Sequence, residues 1–319
     1  MRIVFMGTPD FAVLSLQALM QNNYDIAAVV TQPDKPGGRG KKLRSSPVKA
    51  AARAAGLTVY QPAKVREPSF IEVLRGLCPD IIVAAAFGQI LPAEILYLPQ
   101  YGCINVHASL LPAYRGAAPI HRAVINGEKQ TGITIMQMAT GLDTGAMLLQ
   151  GKVPIDPDDT VGMVHDRLAE LGGQLLPEAL DLIKNGRARP AAQDDSRSSY
   201  AAMLTRADEL VRWERDALNI KNQVRGLNPW PGARTVLEGK ILKIWRVSIA
   251  QDGPTGGAEP GRILKAHFNQ GILVQTGNGI LKIDELQLQG KKQMTASEFL
   301  RGHSLDAGIK LGGETGDRE

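Results

Sequence analysis

The chain has 319 residues, enough for a large core and two domains, and its formal net charge of +5 permits an anionic partner without requiring one. Two cysteines, Cys78 and Cys103, exclude a disulfide framework and lack metal-ligand spacing, so both are expected as small buried side chains. No apolar run approaches the ~18 residues of a membrane span and no leader-like segment follows Met1, so a reducing cytoplasm is the expected compartment.

Residues 2–6 read as a buried strand. In the Gly7-Thr8-Pro9-Asp10 loop that follows, Thr8 is the expected N-cap and Pro9 the first residue of a helix running to about residue 20. Strand, glycine and helix in this order open a doubly wound α/β fold, while the missing Gly-x-Gly-x-x-Gly argues against a nicotinamide or flavin enzyme. A second strand, residues 26–30, feeds a stretch over 31–44 in which Pro33, Pro36, Gly37, Gly38 and Gly40 forbid regular structure. Lys35, Arg39, Lys41, Lys42 and Arg44 make it basic. A solvated surface loop is the ordinary reading; a mobile arm that orders on phosphates is the other.

A helix is expected over 46–55, a short strand near 58–60 and a helix over 68–77. The unbroken apolar run over 79–86 is a central strand buried on both faces. It ends in Phe87-Gly88-Gln89-Ile90-Leu91-Pro92, whose apolar residues suit either a flat aromatic pocket or the core face of the next helix. Further elements follow: a strand over 102–107, a helix over 119–126, strands over 132–138 and 147–153, and an amphipathic helix over 160–184. Residues 189–207 are polar and aperiodic, a linker between a catalytic domain over 1–188 and a second domain over 208–319. The second domain opens with a helix over 215–226. Five short alternating runs follow (234–237, 241–249, 261–266, 272–275 and 280–288), the pattern of a small OB-like β-barrel. Residues 210–319 hold 16 Lys and Arg against 12 Asp and Glu, a net of +4, so most of the positive excess lies there.

The chemistry concentrates after residue 102. Residues two apart share a strand face, so Asn105 and His107 project together while Ile104 and Val106 turn into packing. An amide beside an imidazole can stabilise a developing oxyanion and move a proton. Pro112 and Gly116 then break regular structure, which puts the pair at a strand end, the ligand-binding edge of a parallel sheet. A lone Asn or His there is ordinarily a capping or core residue. Asp143, within Gly141-Leu142-Asp143-Thr144-Gly145, is ordinarily a turn residue bonding its own backbone. Cys103 has no evident base to activate it and reads as core.

The combination is more specific than its parts. Asn-x-His-x-Ser-Leu-Leu-Pro over 105–112, with Leu-Asp-Thr-Gly over 142–145, resembles the folate-dependent formyltransferases. The resemblance is strongest to the branch whose acceptor is initiator methionyl-tRNA and extends to Asn-Pro-Trp-Pro over 228–231. It implies an α/β fold: a Rossmann-like, mostly parallel N-terminal domain followed by the small barrel, here tRNA-binding. It implies a formyl group moving from 10-formyltetrahydrofolate to the α-amino group of the charged tRNA, with no metal. It assigns Asn105, His107 and Asp143 as catalytic, with Asp143 orienting His107. It assigns Phe87, Gly88, Leu91, Ser109, Leu110, Leu111 and Pro112 to folate, and Lys35, Arg39, Lys41, Lys42 and Arg44 to tRNA, led by Arg39. The implied enzyme is a cytoplasmic monomer without membrane contact.

Two relatives within the superfamily fit less well. Glycinamide ribonucleotide formyltransferases resemble the chain in their Asn-x-His and Asp elements but have a glycine-rich first loop and no second domain. Amino-sugar formyltransferases have no need of the basic insertion. A non-catalytic RNA-binding protein would explain the basic loop and the barrel but not Asn105, His107 and Asp143 together; binding of a reduced folate separates the two classes.

Overall fold

The computed structural model of the chain describes residues 1–37, 42–254 and 256–313. Arg39 and Lys41 lie outside the described residues. The chain divides into two units, the first made of residues 1–119, 130–154 and 165–201.

In the first unit, β1 (Arg2–Gly7) has a hydrogen-bonded strand on either side, and Ile3 to Met6 are wholly buried, which is why the sequence there is an unbroken apolar run. α1 (Phe11–Gln21) is capped by Asp10, not by Thr8. The Thr8 hydroxyl instead donates to the Phe87 carbonyl at 3.0 Å and accepts the Gln32 backbone N–H at 3.3 Å, tying three loops together. β2 (Asp25–Val30) leads into β3 (Lys35–Gly37), which pairs antiparallel with β4 (Lys42–Arg44). Within the stretch expected to be irregular over 31–44, residues 35–37 and 42–44 are thus paired strands; three-residue strands are too short for alternation to show.

α2 (Pro47–Ala54) begins as its sequence dictates, with the Ser46 hydroxyl accepting the Lys49 N–H at 3.1 Å and Pro47 at the first position. β5 (Val59–Tyr60) and α3 (Pro68–Leu77) follow. Phe70, Ile71 and Leu74 line the inner face of α3, each burial stabilising by roughly 1.5–3 kcal/mol. Then come β6 (Ile81–Ala85), α4 (Ala93–Leu96), β7 (Cys103–His107), β8 (Arg115–Gly116), α5 (Pro119–Ile125), β9 (Gln130–Gln137), β10 (Met147–Pro154), α6 (Val161–Lys184) and β11 (Tyr200–Ala201). Cys103 is buried as expected; Cys78 is exposed, because α3 ends at Leu77 and Cys78 turns out of it with φ of 46°.

The sheet order is β10-β9-β7-β6-β1-β2-β5, parallel from β7 to β5 and antiparallel at β9 and β10. The chain runs outward from β1 to β2 and β5, then returns to β6 and β7 on the other side. Such a reversal opens a crevice at the carboxyl ends of the strands, where β7 delivers Asn105 and His107. α6 packs closely because of two glycines. A Cβ on Gly172 would lie 2.9 Å from Val106 Cγ1, and one on Gly173 would lie 3.2 Å from the Leu14 carbonyl. Residues 189–201, expected within a linker, belong to the first unit, and β11 pairs in parallel with β8.

The second unit holds residues 120–129, 155–164 and 202 onward. α7 (Arg206–Glu209) and α8 (Ala217–Gly226) precede β12 (Ala233–Leu237), β13 (Lys240–Gln251), β14 (Ile263–His267), β15 (Gly271–Gln275), β16 (Ile280–Leu288), β17 (Met294–Thr295) and α9 (Ala296–Gly302). The strands form an antiparallel sheet in the order β12-β13-β16-β15-β14, with β17 on β16. Its two edges share one cover. Ile263 N donates to Ile309 O at 2.8 Å and Gly312 N to Val236 O at 2.9 Å, so residues 309–312 satisfy backbone groups of both β14 and β12. Trp213, Ile244, Ile283 and Phe299 lie in the enclosed core. α9 was not anticipated, although its signal is in the sequence: Thr295 and Glu298 form a reciprocal capping box.

Candidate active site

β7 lies between β6 in parallel and β9 in antiparallel register, with Asn105 opposite Ala84 and Met136, and His107 opposite Thr134. Strand alternation turns Asn105 and His107 to one face. His107 is buried, 5 % exposed. Its Nε2 is 3.0 Å from the Tyr114 carbonyl and its Nδ1 is 3.7 Å from Asp143 Oδ2. A carbonyl only accepts, so Nε2 carries a proton, and Nδ1 faces the carboxylate. Protonated, the ring is the ion-pair partner of Asp143. Asn105 is half-buried, and among the described residues its amide has no hydrogen-bond partner.

Asp143 comes from the glycine-flanked loop between β9 and β10 and adopts φ of 51°. Its carboxylate does not bond its own turn; Oδ2 accepts the Gly116 N–H at 2.8 Å. The turn admits only glycine at its end, because a Cβ on Gly145 would lie 1.8 Å from the Gln137 carbonyl. Two residues that sequence reasoning missed hold these loops. Gln193 Nε2 donates to the carbonyls of Asp143 at 2.7 Å and Gly145 at 2.8 Å, and its Oε1 accepts Arg115 Nε at 2.9 Å. Ser199 accepts the Tyr114 N–H at 2.9 Å through its hydroxyl. Nothing in a polar, aperiodic segment marks either residue in advance.

The turn after His107 is held from inside. Ser109 is wholly buried and donates its hydroxyl to the Ala113 carbonyl at 2.7 Å. Thr134 Oγ1 donates to the Ser109 carbonyl at 2.7 Å and accepts Leu111 N at 3.1 Å and Gln150 Nε2 at 2.8 Å. Leu111 is buried, whereas Leu110 and Pro112 are half-buried. Phe87 and Leu91 are also buried, packed in the core cluster that holds Met6 and Val30. Gly88 remains exposed, and its carbonyl and that of Phe87 accept the Gln32 amide at 3.0 and 3.2 Å.

Lys35 and Arg44 stand opposite each other on the β3–β4 pair, both exposed. For Lys42 the backbone alone is described. The ribbon starts from an anchored residue: Asp34 accepts from Lys49 Nζ at 2.6 Å and from Gln61 Nε2 at 2.8 Å, and these bonds hold its carboxyl below the usual range. Burial pushes the Cys103 thiol up to about 12, which suits a core side chain and not a nucleophile. Among the described residues no cluster of three or more His, Cys, Asp or Glu could hold a metal ion, and no helix is long and apolar enough to cross a membrane.

Comparison with known proteins bears on this geometry. Residues 1–180 match the family described as formyl transferase, and residues 203–304 match the formyl transferase C-terminal domain. The methionyl-tRNA formyltransferase of Pelotomaculum thermopropionicum is 54% identical over 313 residues, 98% of this chain and 99% of that protein. That of Geobacter sulfurreducens is 52% identical over 312 residues, 98% of this chain and 97% of its own length. Among solved structures, WlaRD, a sugar 3N-formyl transferase crystallised in the presence of dTDP and 5-N-formyl-THF, superposes with a TM-score of 0.63 at 19% identity. That match covers 92% of this chain and 99% of WlaRD and speaks for the fold. The two family matches cover both units almost from end to end, and this chain belongs to the formyl transferase family.

Proposed function

We propose that the chain transfers the formyl group of 10-formyltetrahydrofolate to the α-amino group of initiator methionyl-tRNA. The observation that carries this reading is the unpartnered Asn105 amide beside the His107–Asp143 pair at the end of β7. Relatives named for this activity, at 52–54% identity over nearly the whole chain, support the choice of acceptor.

The neutral amine attacks the formyl carbon, the new C–N bond forms, and charge collects on the formyl oxygen. The Asn105 amide donates to that oxygen, an interaction of roughly 2.7–4 kcal/mol in the transition state. His107 is the second donor. Its Nε2–H is engaged with the Tyr114 carbonyl, so it becomes available to substrate when that carbonyl gives way. Asp143 orients the ring and balances its charge. Collapse breaks the bond to the folate nitrogen, which takes a proton as the amine loses one, and no covalent enzyme intermediate is needed.

The loops that carry Phe87, Gly88 and Leu91, and residues 109–112, flank this edge and form the folate site. Phe87, Leu91, Ser109 and Leu111 are buried and shape these loops, and Gly88, Leu110 and Pro112 offer the accessible surface. The exposed cations of the ribbon, Lys35 and Arg44, together with Arg39, Lys41 and Lys42, engage phosphates of the acceptor, as does the 208–319 domain. With that acceptor the enzyme acts in the cytoplasm.

The test is to incubate the purified chain with 10-formyltetrahydrofolate and, separately, initiator methionyl-tRNA, a nucleotide-linked amino sugar and glycinamide ribonucleotide. Formylation of the tRNA alone is expected. An unformylated tRNA alongside a formylated small acceptor overturns the assignment.

A further inference from the structure

Residues 191–200 are exposed with one exception, Gln193, which is half-buried. Its side chain turns toward the loops that carry the candidate catalytic groups. Both amide protons are engaged, one with the Asp143 carbonyl at 2.7 Å and one with the Gly145 carbonyl at 2.8 Å. The amide oxygen accepts Arg115 Nε at 2.9 Å. Only a primary amide offers two donors and an acceptor at one side-chain end, and asparagine is a methylene too short to span the same points. Arg115 is itself fixed, 12% exposed and bonded to Asp195 at 2.7 Å, and its neighbour Gly116 donates to the Asp143 carboxylate at 2.8 Å.

This arrangement has a task. Asp143 sits in left-handed backbone space, which a residue with a Cβ rarely adopts unaided. Gln193 clips the turn at both 143 and 145, so the conformation that aims the carboxylate is maintained from a different part of the chain. We propose that Gln193 is a positioning residue that holds the Asp143 carboxylate beside His107. Gln193, from outside the sequence motifs, is then part of the apparatus that aims the Asp143 carboxylate. The proposal deepens the reading of Asn105, His107 and Asp143 as the catalytic set and rests on it.

The test compares wild type with Gln193→Ala, Gln193→Asn and the exposed-face control Arg197→Ala in single-turnover formyl transfer, each also in an Asp143→Ala background. Gln193→Ala is expected to lower the rate by roughly ten- to a hundredfold, the scale of a misplaced catalytic group, with KM for the folate donor unchanged within about twofold. In the Asp143→Ala background the same substitution is expected to do nothing further, since its effect passes through Asp143. Gln193→Asn should not restore the rate, and Arg197→Ala should match wild type. An equal loss in both backgrounds, or a wild-type rate in Gln193→Ala, overturns the proposal. A substrate-free readout separates this question from that of the reaction. The ring chemical shifts of His107, followed by NMR without substrate, should move in Gln193→Ala and stay put in Arg197→Ala. If the wild-type chain formylates no tRNA and the ring shifts still move, the reaction assignment fails and the positioning role stands. If the ring shifts are unmoved, the positioning role fails.

Discussion

Replacing Thr134 by valine removes one hydroxyl from the wholly buried hub of the turn that follows His107. The shapes match, so packing is preserved and the change is electrostatic. Thr134 Oγ1 now bonds the Ser109 carbonyl, the Leu111 N–H and the Gln150 amide. Gln150 keeps an alternative, since it also donates to the Leu111 carbonyl at 3.0 Å. The Ser109 carbonyl loses its Thr134 bond and the Leu111 N–H is orphaned; at about 1–3 kcal/mol each, the loss is about 2–6 kcal/mol. The chain has two units, so a single unfolding free energy is a poor readout, and local hydrogen exchange is the better one. Even 2 kcal/mol predicts exchange at the Leu111 amide about 30-fold faster than in wild type. Thr134→Ser keeps the hydroxyl and should protect that amide nearly as well as the parent. Unchanged exchange in Thr134→Val, or equal loss in Thr134→Ser, refutes the reasoning that this hydroxyl holds the turn.

Three further outcomes follow from the geometry. Gly145→Ala drives a methyl into the Gln137 carbonyl, so the Asp143 turn must move and formyl transfer should fall by at least about a hundredfold in steady-state assays, whereas Gly76→Ala, with open space around it and no positive φ, should not. Titration with a thiol reagent near pH 8 should modify Cys78 quickly and Cys103 only on unfolding, because burial pushes the Cys103 thiol up to about 12 while Cys78 is exposed. In the second unit the Arg122 guanidinium, bonded to Asp208 at 2.6 Å, is the main cause that lowers its carboxyl from 3.8 to about 2. A depressed carboxyl stabilises the fold above its ordinary value and loses that contribution as pH falls through the folded one. The urea midpoint of the second unit, followed by the fluorescence of its tryptophans, should therefore decline between about pH 4 and 2, and Arg122→Met should lessen that decline.

Several elements were legible in the sequence because one local rule decides them. β6 is an unbroken apolar run because it is central and covered on both faces, and α2 starts where Ser46 and Pro47 put a cap and a first helical turn. Asn105 and His107 share a face because strand period is two, which needs no partner strand to establish. Other features depend on partners far along the chain. Thr8 looked like a cap but serves as a strut between loops, a use decided by Phe87, 79 residues away. Gln193 and Ser199 act through backbone carbonyls and amides of other loops, and hydrogen bonds of that kind leave no periodicity. The β3–β4 pair is too short to alternate. α9 is different: its Thr295–Glu298 capping box is a local signal, set among short alternating runs that suggest strands. The exposure of Cys78 follows from where α3 ends, a boundary that sequence fixes only within a few residues.

The most direct test of the account is single-turnover formylation of initiator methionyl-tRNA by 10-formyltetrahydrofolate, with enzyme in excess, comparing wild type, Asn105→Ala and His107→Ala. The account predicts product with wild type and rates lower by roughly a hundred- to a thousandfold in each variant, with folate binding retained. Wild-type rates in either variant would contradict it, since the strand end that carries both residues would then not be where the formyl oxygen is held.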